Sequence, residues 1–228
     1  MIVVVSGMQR SGSTFSYNVV RELLEVRGGV SVYSSNSMND LSAGPSEIEN
    51  AIFKSHFPDE MINAFLVKRA IPCVCTVRKP EDAIASWMSV FGFSLEESVS
   101  MYAAWLSWHK KMHRYMLNIH YDEIDDYPWL VIWKISRYLL NGWSCAEIYK
   151  IWNNNRKAKV YENSKALNIA ESVDIGFSFY DKVKFYHRHH VSSIKSRRAT
   201  ELLSKEQLSF IRTSLHQYIN KDGEYQWG

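Results

Sequence analysis

An apolar run that ends in a glycine loop constrains the fold of this chain more than any other feature. Ile2–Val5 is continuously apolar and is followed by Ser6 and Gly7, which is typical of a central parallel strand covered on both faces. After the loop, apolar side chains recur at helical spacing, at Phe15, Val19, Leu23 and Val26. The sequence therefore opens with a strand, a glycine loop and a helix.

The loop fits the phosphate-binding pattern G-x-x-x-x-G-K-[ST] at every position but one. Ser13 stands where the pattern has lysine, and that lysine normally reaches the β- and γ-phosphates of a triphosphate. The glycines at 7 and 12 allow backbone N–H groups and the N-terminus of the following helix to point at an anion. Arg10 and the hydroxyls of Ser13 and Thr14 add further donors. We predict an anion site rather than an ordinary turn.

The rest of the first half alternates strand-like and helical patterns. Short apolar runs at Val30–Tyr33, Ala51–Phe53 and Ile71–Val77 are separated by helical patterns, and from Ser94 the chain is mainly helical. One more strand is predicted near Leu117–Tyr121, and helices are predicted over 58–68, 124–141, 144–170 and 204–220. We expect a single α/β domain over residues 1–228, with a central parallel sheet flanked by helices and a helical second half.

Two further polar segments follow predicted strands. Lys54 and His56 come where a strand ends, and ligands of open α/β sheets bind at the carboxyl ends of the strands. Arg78 leaves the next buried strand just before a helix, and Ser86 follows about two helical turns later. Histidine is suited to accept a proton near pH 7, and Arg78 with Ser86 could hold a phosphate. Alternatively, Arg78 forms an ion pair with Glu81 or Asp82, which lie close to it in the sequence.

The three segments, in this order, resemble those of sulfotransferases that use 3′-phosphoadenosine 5′-phosphosulfate (PAPS). The resemblance covers roughly residues 1–125 and implies PAPS as the sulfuryl donor and 3′-phosphoadenosine 5′-phosphate (PAP) as the product. It implies that His56 is the general base and that Lys54 and Arg10 are catalytic. It also implies that the 5′-phosphosulfate is bound by the loop residues Arg10, Ser11, Gly12, Ser13 and Thr14.

The same resemblance assigns the other end of the donor. Arg78 and Ser86 match the family's arginine and serine that grip the 3′-phosphate. Phe15 falls where a family aromatic residue stacks on adenine, and Tyr121 resembles a family tyrosine near that ring. PAPS has no β- or γ-phosphate, which explains why the loop has no need of the missing lysine.

A basic segment near the C-terminus resembles a family loop that closes over the 3′-phosphate. Residues 182–198 contain six Lys or Arg, three His and no acid. Within it, Ser192, Ser193 and Lys195 are implied to contact the donor. The glycines and the tryptophan expected in that loop are absent, since 196–199 read Ser-Arg-Arg-Ala. The segment is also compatible with a solvated face or a nucleic-acid patch.

Composition narrows the partners and the compartment. A net charge of +3 argues against wholesale binding to nucleic acid. Three cysteines without a C-x-x-C pair argue against a disulfide framework or a zinc site, and we expect no metal. Ile2–Val5 is too short for a signal peptide, and no run approaches the ~20 apolar residues that cross a bilayer. We expect a cytoplasmic protein with no membrane span.

The acceptor and two rival functions stay open at this point. The acceptor is a small molecule, a lipid or a carbohydrate, and aromatic side chains of the second half could line its cleft or pack in the core, at Tyr102, Trp105, Trp108, Trp129 and Trp133. One rival is a phosphotransferase of the nucleotide-kinase type. The other is a non-catalytic nucleic-acid-binding module that uses residues 182–198.

Overall fold

A computed structural model of the chain centres on a five-stranded parallel sheet. The structure describes residues 1–39, 49–140, 142–167, 172–174, 179–181, 183–187, 198–221 and 223–227. The strand order is β2-β3-β1-β4-β5, and this sheet confirms the predicted α/β fold. Its strands are β1 (Ile2–Gly7), β2 (Val30–Tyr33), β3 (Asn50–Ser55), β4 (Cys73–Val77) and β5 (Leu117–His120).

Helices cover both faces of the sheet. They are α1 (Ser13–Glu25), α2 (Glu60–Val67), α3 (Pro80–Phe91), α4 (Leu95–Met112), α5 (Tyr121–Asp126), α6 (Pro128–Leu140), α7 (Cys145–Asn154), α8 (Lys157–Lys165), α9 (Ala199–Leu202) and α10 (Lys205–Ser214). Among the described residues, none of these helices combines the length and the apolar character that crossing a bilayer requires.

The central strand β1 distributes its side chains to the two faces. Val3 and Val5 pack in a core cluster with α1, α6 and α7, whereas Val4 packs in a cluster that contains residues of α2. A third cluster joins the end of β4 to α3, α4 and α10. Because successive side chains of a strand alternate, a strand that is buried from Val3 to Gly7 needs helices on both sides, as its continuous apolar run predicts.

Two long helices predicted in the second half are each divided. The helix predicted over 124–141 is α5 and α6, and Pro128 begins the second of them, as expected of a residue that lacks an N–H donor. The helix predicted over 144–170 is α7 and α8. The break lies at Asn155, whose Nδ2 donates to Glu22 Oε1 at 2.8 Å and to the Ile151 carbonyl at 2.9 Å.

Two smaller differences concern the C-terminal part of the chain. The sequence patterns did not predict β6 (Ser172–Asp174) and β7 (Phe179–Asp181), which form a separate antiparallel pair. The helix predicted over 204–220 is shorter, because α10 ends at Ser214 and a 3-10 helix follows at His216–Tyr218.

The strand order brings three polar loops to one edge of the sheet. β1 lies between β3 and β4, and all of its pairings are parallel. The segments that follow β1, β3 and β4 therefore emerge side by side at the carboxyl ends of the strands. Such a position, where the chain order reverses across the sheet, is where ligands of open α/β folds bind.

Candidate active site

The loop after β1 is shaped by two glycines that no larger residue could replace without adjustment. A Cβ on Gly7 would lie 2.1 Å from Thr76 Oγ1 of the neighbouring strand. Gly12 has a φ of +87°, and a Cβ there would lie 2.8 Å from Ile124 Cδ1. Gly12 is the N-cap of α1, and none of the described side chains caps this helix. The positive end of the helix dipole is therefore left for an anion.

Ser11 and Arg10 have different roles in this loop. The Ser11 hydroxyl is fully buried and lies 3.0 Å from the Thr76 carbonyl oxygen and 2.6 Å from Thr76 Oγ1. Its side chain thus fixes the loop to β4, and its backbone N–H donates to the Met8 carbonyl oxygen at 3.2 Å, so both donors of this residue are engaged within the protein. Arg10 has a φ of 63°, and its Nε donates to Ser86 Oγ at 3.0 Å. Arg10, which is predicted to bind the 5′ end of the donor, therefore forms a hydrogen bond with Ser86, which is predicted to bind the 3′-phosphate.

Lys54 and His56 reach the same loop from the end of β3. Lys54 Nζ donates to Thr14 Oγ1 at 2.8 Å and lies 5.3 Å from the centre of the Phe185 ring. The Nδ1 atom of His56 lies 2.7 Å from the Gly7 carbonyl oxygen. A carbonyl oxygen only accepts, so the neutral ring carries its proton on Nδ1 and has a lone pair on Nε2.

Burial shifts the pKa values of both side chains downward. Burial lowers the pKa of Lys54 from 10.5 to about 8. The pKa of His56 falls from 6.5 to about 4, first because of burial and second because of the Lys54 charge, against a rise from the Gly7 hydrogen bond. His56 is therefore neutral at pH 7, in the protonation state that a general base requires.

Arg78 is held against the loop by its own contacts and is not paired with the acids that follow it. Its Nη1 donates to the Arg10 carbonyl at 3.0 Å, and its guanidinium carbon lies 4.1 Å from the centre of the Tyr121 ring. Its Nε is buried and has no hydrogen-bond partner in the described part of the chain. A buried donor without a partner lowers stability by about 1–3 kcal/mol. A ligand that accepts a hydrogen bond from this Nε would remove that cost.

The acidic pair after Arg78 serves another purpose. Glu81 accepts from Arg212 Nε at 3.0 Å. Asp82 accepts from the Ala199 backbone N–H at 2.6 Å and lies 3.5 Å from Arg198 Nη1. These carboxylates attach the C-terminal helices to α3, so the alternative of an Arg78 pair with Glu81 or Asp82 is wrong.

A cavity of about 250 Å³ connects these groups. Among its lining residues are Arg10, Ser13, Thr14, Lys54, His56 and Arg78. Phe15 and Tyr121 also line it, as aromatic surfaces at the base of α1 and the start of α5. Ser11 and Ser86 are not among the described residues that line it. The cavity thus joins most of the predicted site residues around one concave space.

Several lining residues were not singled out from the sequence. Trp87 and Phe91 of α3 line the cavity, with ring centres 4.6 Å apart. Trp152, Arg156 and Lys157 line it from the break between α7 and α8. Lys157 pairs at 2.7 Å with Asp125, whose carboxylate also lines the cavity. The spacing of Trp87 and Phe91 indicated only a helix face, and no local signal placed the α7–α8 break at the site.

The aromatic residues that were predicted either to line an acceptor cleft or to pack in the core do not line this cavity. Tyr102 and Trp105 are fully buried in the core, and Trp108 is partly buried against it. Trp129 and Trp133 are 55% and 43% exposed on α6, so they belong neither to the core nor to the described cavity lining. The predicted contacts at Ser192, Ser193 and Lys195 lie outside the described residues.

Solved structures match this fold over nearly the whole chain. Neither a protein-family model nor a curated protein sequence matches it. Retinol dehydratase in complex with retinol and PAP superposes with a TM-score of 0.68 at 15% identity, over 100% of this chain and 83% of that one. Retinol dehydratase with androsterone and inactive cofactor PAP gives 0.66 at 16% identity, over 99% and 82% of the two chains.

A third structure is named as a sulfotransferase. Mouse sulfotransferase SULT7A1 complexed with PAP gives a TM-score of 0.67 at 13% identity, over 97% of this chain and 85% of that one. At identities of 13–16%, TM-scores of 0.66–0.68 show a common fold and nothing finer. The chain therefore has the sulfotransferase fold that the first half of its sequence predicts.

Proposed function

We propose that this protein is a sulfotransferase that moves a sulfuryl group from PAPS to a hydroxyl or amine of an acceptor and releases PAP. One observation carries the proposal. Arg10, Lys54 and Arg78, from three different segments, all line one cavity beside the neutral imidazole of His56. A ligand with anionic groups at both ends of a nucleoside is the chemistry that best matches three fixed cations and one base.

The residues present fit both ends of this donor. No side chain in the described part of the chain caps the N-terminus of α1, and Ser13 and Thr14 line the cavity there, which suits the 5′-phosphosulfate. The Nε of Arg78, which has no hydrogen-bond partner among the residues that the structure describes, suits the 3′-phosphate. Phe15 and Tyr121 offer flat surfaces to a purine. We assign Ser86 an indirect part, because its hydroxyl accepts from Arg10.

The chain's own side chains supply positioning and charge. PAPS, when bound, supplies a sulfuryl group attached to a phosphate that leaves well. His56 Nε2 is assigned the proton of the acceptor hydroxyl, since Nδ1 is engaged by Gly7. Lys54 and Arg10 place positive charge on the loop, where it stabilises charge that moves toward the leaving phosphate. Arginine keeps its proton at neutral pH, so Arg10 acts electrostatically.

The two pKa shifts connect donor binding to basicity. A base with a pKa of about 4 is a weak one at neutral pH. Because the Lys54 charge contributes to that low value, an anion that offsets this charge would raise the pKa of His56. We expect His56 to become an effective base only when the loop carries its anion.

For the acceptor, we propose a small-molecule alcohol or phenol with an apolar ring. Trp87 and Phe91 form an aromatic wall of the cavity, and His187 lies 5.7 Å from Phe91 between ring centres. Retinol and androsterone are the molecules bound by retinol dehydratase. Sulfate transfer from PAPS to a phenol, a sterol and a monosaccharide, measured side by side, tests this choice. Preference for the monosaccharide would contradict it.

Calorimetric titration with PAP, AMP and ATP tests the donor assignment. A charge-assisted hydrogen bond is worth about 1.5–3 kcal/mol, so we expect PAP to bind roughly 10- to 100-fold more tightly than AMP. Arg78→Ala should remove most of this ratio, even if the loop shifts and both affinities fall. Arg137→Ala is the matched control, because that arginine is exposed on α6. Tighter binding of ATP than of PAP would contradict the proposal and favour a kinase.

A further inference from the structure

A second cavity lies at the amino ends of the strands, opposite the candidate active site. It has a volume of about 370 Å³. Ile71 and Pro72, which precede β4, and Met116, which precedes β5, form its apolar part. Tyr138, near the end of α6, reaches the same place, and its hydroxyl accepts from the Cys73 backbone N–H at 3.3 Å. The cavity and the glycine loop therefore lie at opposite ends of the strands.

The polar lining of this cavity is cationic and phenolic. Arg69, Arg114, Tyr115 and Tyr138 line it, and no carboxylate is among the described lining residues. Within the described residues, neither arginine forms an ion pair. The guanidinium carbon of Arg114 lies 4.8 Å from the centre of the Tyr115 ring. Partial burial raises the pKa of Tyr138, and the hydrogen bond from Cys73 and, to a smaller extent, the charge of Arg69 oppose that rise.

Helix ends explain why cations are present here but not why they share a cavity. Cations are favourable near helix C-termini, and both Arg69 and Arg114 follow helices, α2 and α4. Lys110 and Lys111, in the last turn of α4, satisfy the same preference. They are exposed and are not among the described cavity-lining residues. The arrangement of Arg69 and Arg114 therefore needs a second reason.

The backbone of Arg69 has a conformation in which any side chain lowers the stability of the fold relative to glycine. Arg69 has a φ of 52°, in the left-handed region. The Ala70 N–H donates to the Phe65 carbonyl at 3.0 Å, and the Arg69 N–H to the Leu66 carbonyl at 2.9 Å. This is the helix-ending arrangement in which glycine is preferred, and another residue costs about 1 kcal/mol. Residues held in such conformations concentrate at binding sites.

We propose that this cavity binds the oxyanion of a phosphate or sulfate group, separately from the candidate active site. Arg69 and Arg114 provide fork-shaped donors that match such oxygens. The Tyr138 hydroxyl accepts from the backbone, and no acceptor for its own proton is found in the described part of the chain. It adds a neutral donor, and the apolar residues exclude water from one side. This inference does not depend on the proposed sulfotransferase activity.

Amide NMR of the full ¹⁵N-labelled chain tests the proposal with inorganic phosphate as the probe. The Ala70 and Tyr115 amides report on this cavity, and the Ser13 and Thr14 amides report on the glycine loop in the same spectra. We expect saturable shifts at Ala70 and Tyr115. Loss of one charge-assisted donor corresponds to about tenfold weaker binding or more, expected in both Arg69→Gly and Arg114→Gln. Glycine suits the backbone at 69, so the first variant should fold.

Lys111→Gln is the matched control, because it removes one exposed charge from the same helix end. It should change the affinity less than about twofold, as expected of a screened surface charge. Equal weakening in Lys111→Gln, or linear shifts that never saturate at Ala70 and Tyr115, would overturn the proposal. Vesicles of phosphatidylcholine with and without phosphatidic acid distinguish the source of the anion. Binding of the acidic vesicles that needs Arg69 assigns a lipid headgroup, and phosphate binding alone assigns a soluble one.

Discussion

Arginines lie at both ends of the sheet, but they are buried at one end and exposed at the other. At the carboxyl ends, Arg78 is buried, stacks on Tyr121 and donates to the loop backbone. At the amino ends, Arg69 and Arg114 are exposed. A side chain fixed before the ligand arrives loses little entropy on binding, whereas an exposed one must be ordered. We therefore expect strong, geometry-dependent effects at the first end and modest affinity at the second.

The largest expected effect follows from removing the base. His56→Ala should lower turnover with PAPS by about 10²–10⁴-fold, the usual contribution of a positioned general base. PAP affinity should change little, because the loop and Arg78 remain. Exposed His216, whose Nδ1 contacts the Thr213 carbonyl, supplies the control His216→Ala. Unchanged turnover in His56→Ala would remove the assigned role.

A smaller effect should follow from breaking the link between the loop and β3. Lys54 Nζ donates to Thr14 Oγ1, and Thr14→Val removes this acceptor at nearly constant volume. Loss of one hydrogen bond to a charged group predicts a fall of about tenfold or more in kcat/KM. Thr14→Ser keeps the hydroxyl and should stay close to the wild type. If valine and serine give equal rates, the contact does not position Lys54.

Acid should destabilise the folded protein through His56, at the carboxyl ends of the strands. The folded pKa of about 4 lies below the usual 6.5, so the unfolded chain binds more protons between these values. The contribution of this ring to stability is present above pH 6.5 and is lost as the pH falls toward 4. Urea unfolding at pH 7 and pH 5 should show a smaller loss in His56→Gln than in the wild type. His216→Gln should behave like the wild type, and a smaller loss there as well would contradict the assignment.

The smallest expected effects compare two left-handed positions, one at each end. Gly12 has a φ of +87° and Arg69 one of 52°. Gly12→Ala should lower the free energy of unfolding by about 1–2 kcal/mol, whereas Arg69→Gly should raise it by up to about 1 kcal/mol. Chemical denaturation measures both. If Arg69→Gly is destabilised instead, the arginine stabilises the fold, and the claim that its side chain lowers stability relative to glycine is wrong.

The parts of the site that were predictable depend on short, local patterns. The strand, the loop and α1 are adjacent in the chain, and their pattern predicts them together. Lys54, His56 and Arg78 were predictable because each follows a strand whose carboxyl end must meet the same edge of a parallel sheet. Phe15 and Tyr121 were assigned from the resemblance, and they do line the cavity.

The parts that were not predictable depend on contacts between distant residues. The α7–α8 break depends on Asn155 and Glu22, 133 positions apart, and no glycine or proline marks it. The contact of Arg10 with Ser86 spans 76 positions. The exposure of Trp129 and Trp133 could not be read from their apolar character, because a helical spacing does not reveal which face is covered.

A crystal structure of the PAP complex tests the central claim most directly. We predict the 5′-phosphate at the N-terminus of α1, against Ser13 and Thr14, with His56 beside it. We predict the 3′-phosphate within hydrogen-bond distance of Arg78. A complex in which PAP lies outside this cavity, or in which Arg78 remains apart from the 3′-phosphate, would contradict the account.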